Sequence, residues 1–155
     1  MASDLDRLRS DDAAWDDFVE SSQTSFPLQL SAWATAKAPY GWRAARVVAD
    51  GGSGPIGAQV LVRSLGPGPF AMGYAPRGPV ATVFDEASLN AFTTALREFA
   101  ASRRLTHVTA DPGLEGTEHD VLFTASGWQP ADPLQLVSSQ VIDLSKTEEE
   151  LWLSL

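Results

Sequence analysis

The stretch RAARVVADGGSGPIGAQVLVRSL, residues 43–65, decides the fold. Residues 43–49 predict a strand, and the glycine-rich GGSG at 51–54 predicts a flexible turn. Residues 55–65 predict its partner strand, in which Gln59, Leu61 and Arg63 alternate with Ala58, Val60 and Val62. The stretch is therefore predicted to be a β-hairpin.

Outward from the hairpin, helical and strand patterns alternate. Upstream, residues 1–11 are predicted to be a polar lead-in. A short helix follows, which is capped by Asp11 or Asp12 and runs through Trp15 to Val19. A second short helix carries Trp33 and Lys37. Downstream, the patterns predict a turn at 66–69, strands at 70–74, 106–110 and 136–144, and helices at 85–103, at 114–126 and from 145, where Glu148 is placed for a capping box. This order favours an α/β fold with a mixed sheet.

Composition excludes several classes of function. The chain has 155 residues, which favours a single domain, and a formal net charge of −9, which disfavours nucleic-acid binding by this segment. It lacks Cys, and its two histidines, His107 and His119, fit no metal motif, so no metal site is expected. The charged start has no signal-peptide hydrophobic region, and no window approaches the ~18 apolar residues of a membrane span. A cytoplasmic protein is expected.

Three stretches resemble the FemABX family of peptidoglycan aminoacyltransferases. They are FPLQLSAWATAKAPYGWRAARVV at 26–48, GYAPRGPV at 73–80, and the segment 127–151 with GWQPADPLQL and VIDLSKTEEEL. Each is unspecific alone, but together they follow the family's order over nearly the whole chain. The chain also stops within the predicted helix EEELWLSL, where a polar end would be usual, so an incomplete protein is expected.

The resemblance implies a fold and an activity. FemABX proteins pair two domains similar to the GNAT acetyltransferase fold, so residues 1–155 would be the first such domain, with a mixed, mostly antiparallel sheet flanked by helices. Such proteins transfer an amino acid from aminoacyl-tRNA, as co-substrate and without a further cofactor, to the stem-peptide amine of a muropeptide precursor. The precursor is UDP-linked or lipid-linked, and a lipid-linked precursor would bring the protein near the membrane surface. Aminoacyl-tRNA would bind mainly to the absent second half.

Five residues are candidates for binding the precursor: Trp33, Lys37, Tyr74, Arg77 and Gly78. By resemblance, Lys37 contacts the precursor's diphosphate; an exposed lysine on a solvated face is the alternative. The segment with Tyr74, Arg77 and Gly78 resembles the family's cleft lining, and its Arg offers a planar fork for a carboxylate or phosphate. The alternative is a turn whose Arg77 caps a carbonyl or pairs with Asp85. Trp33 is favoured as a core or cleft-wall residue over a stacking platform.

Asp111 is the one candidate for a catalytic residue. It ends a predicted strand in ADPG, where its carboxylate could act as a general base. Asp-Pro is also a frequent way to start a turn, and that interpretation is favoured.

Two other functions remain open from the sequence. One is a GNAT-type acyltransferase that uses acyl-CoA; such enzymes hold pyrophosphate on a glycine-rich loop that opens a helix, whereas GGSGPIG at 51–57 lies between two predicted strands. The other is a non-catalytic binding module, which would bind a precursor and transfer nothing.

Overall fold

A computed structural model describes residues 3–114, 118–132, 134, 143 and 145–153. Within these residues the helices are α1 (Asp4–Ser10), α2 (Asp12–Ser21), α3 (Ser31–Lys37), α4 (Glu86–Ser102), α5 (Glu118–Ala125) and α6 (Glu148–Leu153). Short 3-10 helices at Pro27–Gln29 and Ala38–Tyr40 precede and follow α3. None of the described helices has the length and apolar character needed to cross a bilayer.

The strands form one mixed sheet. They are β1 (Arg43–Asp50), β2 (Pro55–Ser64), β3 (Ala71–Arg77), β4 (Val80–Ala81) and β5 (Leu105–Pro112). The order is β1-β2-β3-β5, and β4 pairs with β2 beyond the end of β3. Every pairing is antiparallel except that of β3 with β5, which is parallel. The predicted class, a mixed and mostly antiparallel sheet flanked by helices, is confirmed.

Helices cover both faces of the sheet because its central strands alternate in the direction of their side chains. On one face Val47 and Ile56 pack with Leu89 and Phe92 of α4. On the other face Trp15, Phe18 and Val19 of α2 pack with Val48 and Val80. Burying each large apolar side chain contributes about 1.5–3 kcal/mol to the stability of the fold. These two clusters therefore hold α4 on one face of the sheet and α2 on the other.

The predicted hairpin is confirmed, and β3 is longer than predicted. β1 and β2 pair from Arg43↔Val62 to Asp50↔Pro55 around the glycine-rich turn. β3 continues through Pro76 to Arg77, because β5 pairs with it in parallel as far as Arg77↔Pro112. The extension carries the candidate Arg77 on a strand end and not in a separate loop.

The amino-terminal prediction was wrong. Residues 1–11 were expected to be a polar lead-in, but α1 forms there, and Ser3 and Asp6 cap it reciprocally. Asp6 stands at the third helical position, where a capping box usually has Glu or Gln. Leu5 and Leu8 of the same helix pack against the Trp15 cluster. A helix as short as α1 depends on such packing.

The carboxy-terminal predictions had mixed outcomes. Leu114 is not helical, so α5 is shorter than the predicted helix at 114–126. It ends as predicted at Gly127, which has a left-handed φ of 83° and lies in a Schellman motif closed by a bond from Trp128 N to the Phe123 carbonyl. The capping box of α6 joins Thr147 and Glu150, not Glu148. Most of the predicted strand at 136–144 lies outside the described residues.

Candidate functional site

The candidate site lies where the parallel strands β3 and β5 end. Pro76 pairs with Asp111, and Arg77 pairs with Pro112. The carboxyl ends of adjacent parallel strands meet at one edge of a sheet, which is where α/β folds commonly bind ligands. The parallel pairing therefore brings Tyr74 and Arg77 of β3 beside Asp111 of β5.

Asp111 is bonded to β3 through both of its carboxylate oxygens. Its Oδ1 accepts a hydrogen bond of 2.8 Å from the Arg77 backbone N. Its Oδ2 accepts one of 3.1 Å from the Tyr74 hydroxyl. Bonds to a carboxylate are stronger than bonds between neutral groups. The favoured interpretation of Asp111 as a mere turn residue was therefore incomplete, because its carboxylate joins the ends of both strands.

Arg77 has an unusual backbone that the surrounding contacts hold in place. Its φ is +54°, in the left-handed region that residues other than glycine rarely adopt. The bond from its N–H to Asp111 stabilises this conformation, and its guanidinium lies 5.3 Å from the centre of the Phe26 ring. A Cβ at Gly113 would lie 3.4 Å from the same ring. Asp85, the alternative partner considered for Arg77, instead caps α4 by accepting from Ser88 N.

Gly78 is required because Gln29 lies directly behind it. A Cβ at Gly78 would come within 2.9 Å of the Gln29 side-chain nitrogen. That nitrogen donates to the Pro76 carbonyl at 2.6 Å, and Gln29 Oε1 accepts from the Gln59 backbone N at 2.7 Å. Gln29 is fully buried, and its own carbonyl accepts from Trp15 Nε1. Gln29 was not predicted from the sequence. Through its bonds to the Pro76 carbonyl and to the Gln59 backbone N it holds the end of β3, which carries Arg77, against β2.

A cleft of about 360 Å³ adjoins Asp111. One wall is the end of β5, and the other is α5 with the segment that follows it. Phe123 and Trp128 meet edge to face at 5.5 Å, and Trp128 Nε1 donates to Thr93 Oγ1 at 2.9 Å. The carboxylates in the lining are Asp111, Asp120 and Asp132. Apolar walls with acidic groups suit a ligand that carries an amine, because a carboxylate attracts an ammonium and can accept its proton.

Lys37 and Trp33 form a separate pair on α3. Lys37 Nζ lies 4.5 Å from the centre of the Trp33 ring, and both side chains are half-buried. The buried Trp33 Nε1 has no hydrogen-bond partner among the described residues. Lys37 therefore packs on the Trp33 ring and is not freely solvated, whereas the role of Trp33 as a core or cleft-wall residue stays a prediction.

The structure does not bring Lys37 to the Arg77 end of β3. From Lys37 the chain leads through Ala38–Tyr40 to the start of β1. Both β1 and β3 pair antiparallel with β2, so β1 and β3 run in the same direction and begin at the same end of the sheet. Arg77 is the last residue of β3 and therefore lies at the opposite end. Ala71 and Arg77 are separated by about 20 Å of strand. The predicted residues thus form two groups.

The glycine-rich turn has the position predicted for it. Gly51 N donates to the Gly54 carbonyl at 2.9 Å, and the chain then enters β2. A pyrophosphate cradle needs backbone N–H groups at the start of a helix. The turn at 51–54 therefore does not support an acyl-CoA site at that place.

Comparison with known proteins places this chain in a family. The model of the FemAB family matches residues 11–126, which is more than half of the chain and includes all six candidate residues. The chain belongs to the FemAB family. The resemblance found in the sequence is thereby confirmed, and this FemAB domain can be set beside individual relatives.

Curated relatives and a solved structure agree with the family. Lipid II:glycine glycyltransferase of Staphylococcus aureus strain MRSA252 is 27% identical over 160 residues, which cover 95% of this chain and 38% of that protein. The protein of strain bovine RF122 / ET3-1 gives the same identity and coverage. The crystal structure of FemX is 26% identical with a TM-score of 0.66, over 82% of this chain and 31% of that one. This FemAB chain spans well under half the length of each.

Proposed function

We propose that this chain is the precursor-binding part of an aminoacyltransferase of peptidoglycan synthesis. The reaction joins an amino acid from aminoacyl-tRNA to the stem-peptide amine of a muropeptide precursor. The observation that carries the proposal is the Asp111 cluster at the end of β3 and β5, beside an acidic and apolar cleft, in a member of the FemAB family. Relatives named as lipid II glycyltransferases support the same reaction class.

The cleft has the chemistry that the acceptor amine requires. A primary amine is protonated near neutral pH, so it must bind as an ammonium and lose a proton before it can attack. The carboxylates of Asp111, Asp120 and Asp132 attract the ammonium. Asp111 is held by bonds to Tyr74 and to the Arg77 backbone, which is the fixed orientation that a general base needs.

The bond changes need no metal or nucleotide cofactor. The acceptor nitrogen forms a bond to the carbonyl carbon of the aminoacyl ester, and the bond from that carbon to the ester oxygen breaks. The ammonium first gives one proton to Asp111, and the second proton that the nitrogen loses on forming the amide goes to the leaving ester oxygen. Activation comes from the ester, so positioning is the main task of the protein. We place the tRNA contacts outside this chain, whose net charge of −9 opposes a phosphate backbone.

The two groups of candidate residues match the two ends of an extended precursor. Arg77 supplies a guanidinium for a stem carboxylate near the Asp111 end. Lys37, at the carboxyl end of α3, supplies an ammonium for the diphosphate.

The experiment is a calorimetric titration of the 155-residue chain with a UDP-linked muropeptide. Replacing Arg77 or Lys37 by Ala removes a charged hydrogen-bonding group worth about 1.5–3 kcal/mol, so each should weaken binding about 10-fold to 150-fold. Asp111→Asn should weaken binding of the lysine-containing stem more than binding of a stem with its amine acetylated. Asp17→Asn removes the same charge from an exposed position on α2 and should change nothing.

Two results would contradict the proposal. One is a folded chain that does not bind the muropeptide. The other is binding that Asp17→Asn weakens as much as Asp111→Asn. A thermal shift with acetyl-CoA in place of the muropeptide would favour the acyl-CoA alternative.

A further inference from the structure

One edge of the sheet combines basic side chains with exposed apolar ones. This edge, here called the basic edge, consists of the segments 38–43, 62–71 and 99–104. It contains the start of β1, the end of β2, the start of β3 and the end of α4. The three segments meet around a cavity of about 510 Å³, so they form one continuous surface opposite the Asp111 end.

Positive charge is concentrated at the basic edge. The edge contains four of the 11 basic residues of the chain, Arg43, Arg63, Arg103 and Arg104. Lys37 directly precedes its first segment. The stretches 37–49, 61–75 and 99–110 contain no Asp or Glu, although the chain has 20 acidic residues. In the part of the chain that the structure describes, the ion pairs are Arg9–Asp6 and Arg46–Asp12, at a distance from this edge along the sheet. The four arginines are exposed.

Large apolar side chains protrude from the same edge. Tyr40 is 71% exposed, Phe70 is 56% exposed and Leu65 is 47% exposed. Tyr40 lies in the connection between α3 and β1, and the other two close the turn between β2 and β3, where Leu65 N donates to the Phe70 carbonyl. Trp42 lies between these loops, with the Arg63 guanidinium 5.6 Å from its ring centre.

We propose that the basic edge docks on the surface of a bilayer that contains anionic phospholipid. Aromatic rings favour the interface between headgroups and acyl chains, and arginines nearby are attracted to anionic headgroups. A chain of net charge −9 is repelled by such a surface overall. It can bind only by turning a segregated basic face towards the membrane, and the basic edge is such a face.

Docking would also orient the candidate site. β3 runs from the basic edge at Ala71 to Arg77, so the Asp111 cleft would face away from the bilayer at a height of about 20 Å. Lys37 would lie near the headgroups, where the diphosphate of a lipid-linked precursor is found. The docking proposal does not depend on the proposed transferase activity, because vesicle binding is measured without any substrate.

The test is co-flotation of the 155-residue chain with vesicles of equal parts phosphatidylglycerol and phosphatidylcholine, and with vesicles of phosphatidylcholine alone. Binding is expected to the anionic vesicles and to fall as salt is raised, because screening shortens the reach of surface charge to about 3 Å at 1 M. The double variant R43Q/R63Q should partition about 30-fold more weakly, since each basic residue near an anionic surface contributes roughly one factor of five.

Matched controls separate the basic edge from the rest of the surface. R7Q/K146Q removes the same two charges at exposed positions elsewhere and should bind like the parent chain. Y40S/F70S should weaken binding, whereas V83S/V121S, which changes two exposed apolar residues outside the edge, should not. Circular dichroism of each variant shows whether it is folded.

Three outcomes would overturn the proposal. They are a folded parent chain that does not float with anionic vesicles, equal losses in R43Q/R63Q and R7Q/K146Q, and calorimetric binding of inorganic diphosphate that depends on Arg43 and Arg103, which line the cavity, without any vesicle binding. The last result would make the cavity a site for a soluble anion.

Discussion

Replacing Gln29 by Met should destabilise the fold strongly, although the two side chains have similar size. Gln29 Nε2 donates to the Pro76 carbonyl, and its Oε1 accepts from the Gln59 backbone N, both in a fully buried position. The Met variant leaves these two backbone groups without their partners. Each buried polar group that loses its partner costs about 1–3 kcal/mol, so a loss of about 2–6 kcal/mol is expected. That is a large share of the 5–15 kcal/mol that is typical of a whole domain.

Urea unfolding monitored by tryptophan fluorescence gives the free energy of unfolding of Gln29→Met directly. Gln23→Met is the matched control, because Gln23 is an exposed glutamine whose Oε1 accepts one bond from Phe84 N. An exposed bond of this kind contributes about 1 kcal/mol or less. If Gln29→Met costs no more than Gln23→Met at an unchanged slope of free energy against urea, then Gln29 does not fix the Pro76–Arg77 strand end as argued.

Three further predictions concern packing and pH. Gly57→Ala should lower the midpoint of thermal unfolding, because its Cβ would come within 2.8 Å of the Val47 carbonyl, whereas Gly68→Ala, with nothing within 4 Å, should not lower it. Phe92→Ala should cost about 3–5 kcal/mol in urea unfolding, because it opens a cavity between α4 and the sheet. The hydrogen bond from Ala14 N lowers the pKa of the Asp11 carboxyl. The stabilisation by this cap is therefore present above the usual Asp pKa and is lost as pH falls through the lowered pKa of the folded state. The difference in thermal midpoint between the parent and Asp11→Ala should accordingly be larger at pH 7 than at pH 3.

The elements set by local pattern could be predicted from the sequence. The hairpin of β1 and β2 follows from alternation around a glycine-rich turn, and α4 follows from its apolar spacing and the Asp85 cap. β4 could not be predicted in this way, because a strand of two residues, Val80–Ala81, has no periodicity. α1 was missed because its cap uses Asp6 where Glu or Gln is usual.

The candidate site was predictable as residues but not as an arrangement. Tyr74, Arg77 and Asp111 stood out by type and by position in a strand or loop. Their meeting depends on the parallel register of β3 and β5, which no local pattern encodes. Gln29 and Gly78 illustrate the same limit, because no local pattern marks Gln29 as buried and none connects it to a glycine far along the chain.

The separation of Lys37 from Arg77 was also beyond the sequence. The resemblance groups both residues as precursor contacts without saying how far apart they lie. Only the strand directions show that α3 leads to the edge where β3 begins, whereas Arg77 ends β3.

Photo-cross-linking tests the central claim, that the precursor's acceptor amine binds in the cleft beside Asp111, most directly. A UDP-linked muropeptide with a diazirine next to the stem lysine is irradiated with the chain, and the labelled residues are identified by mass spectrometry. Labels are expected on the cleft lining at 108–112, 120, 123–124, 128–132 and 134, with competition by unlabelled muropeptide. Competable labelling confined to the basic edge, or to the surface of α2, would contradict it.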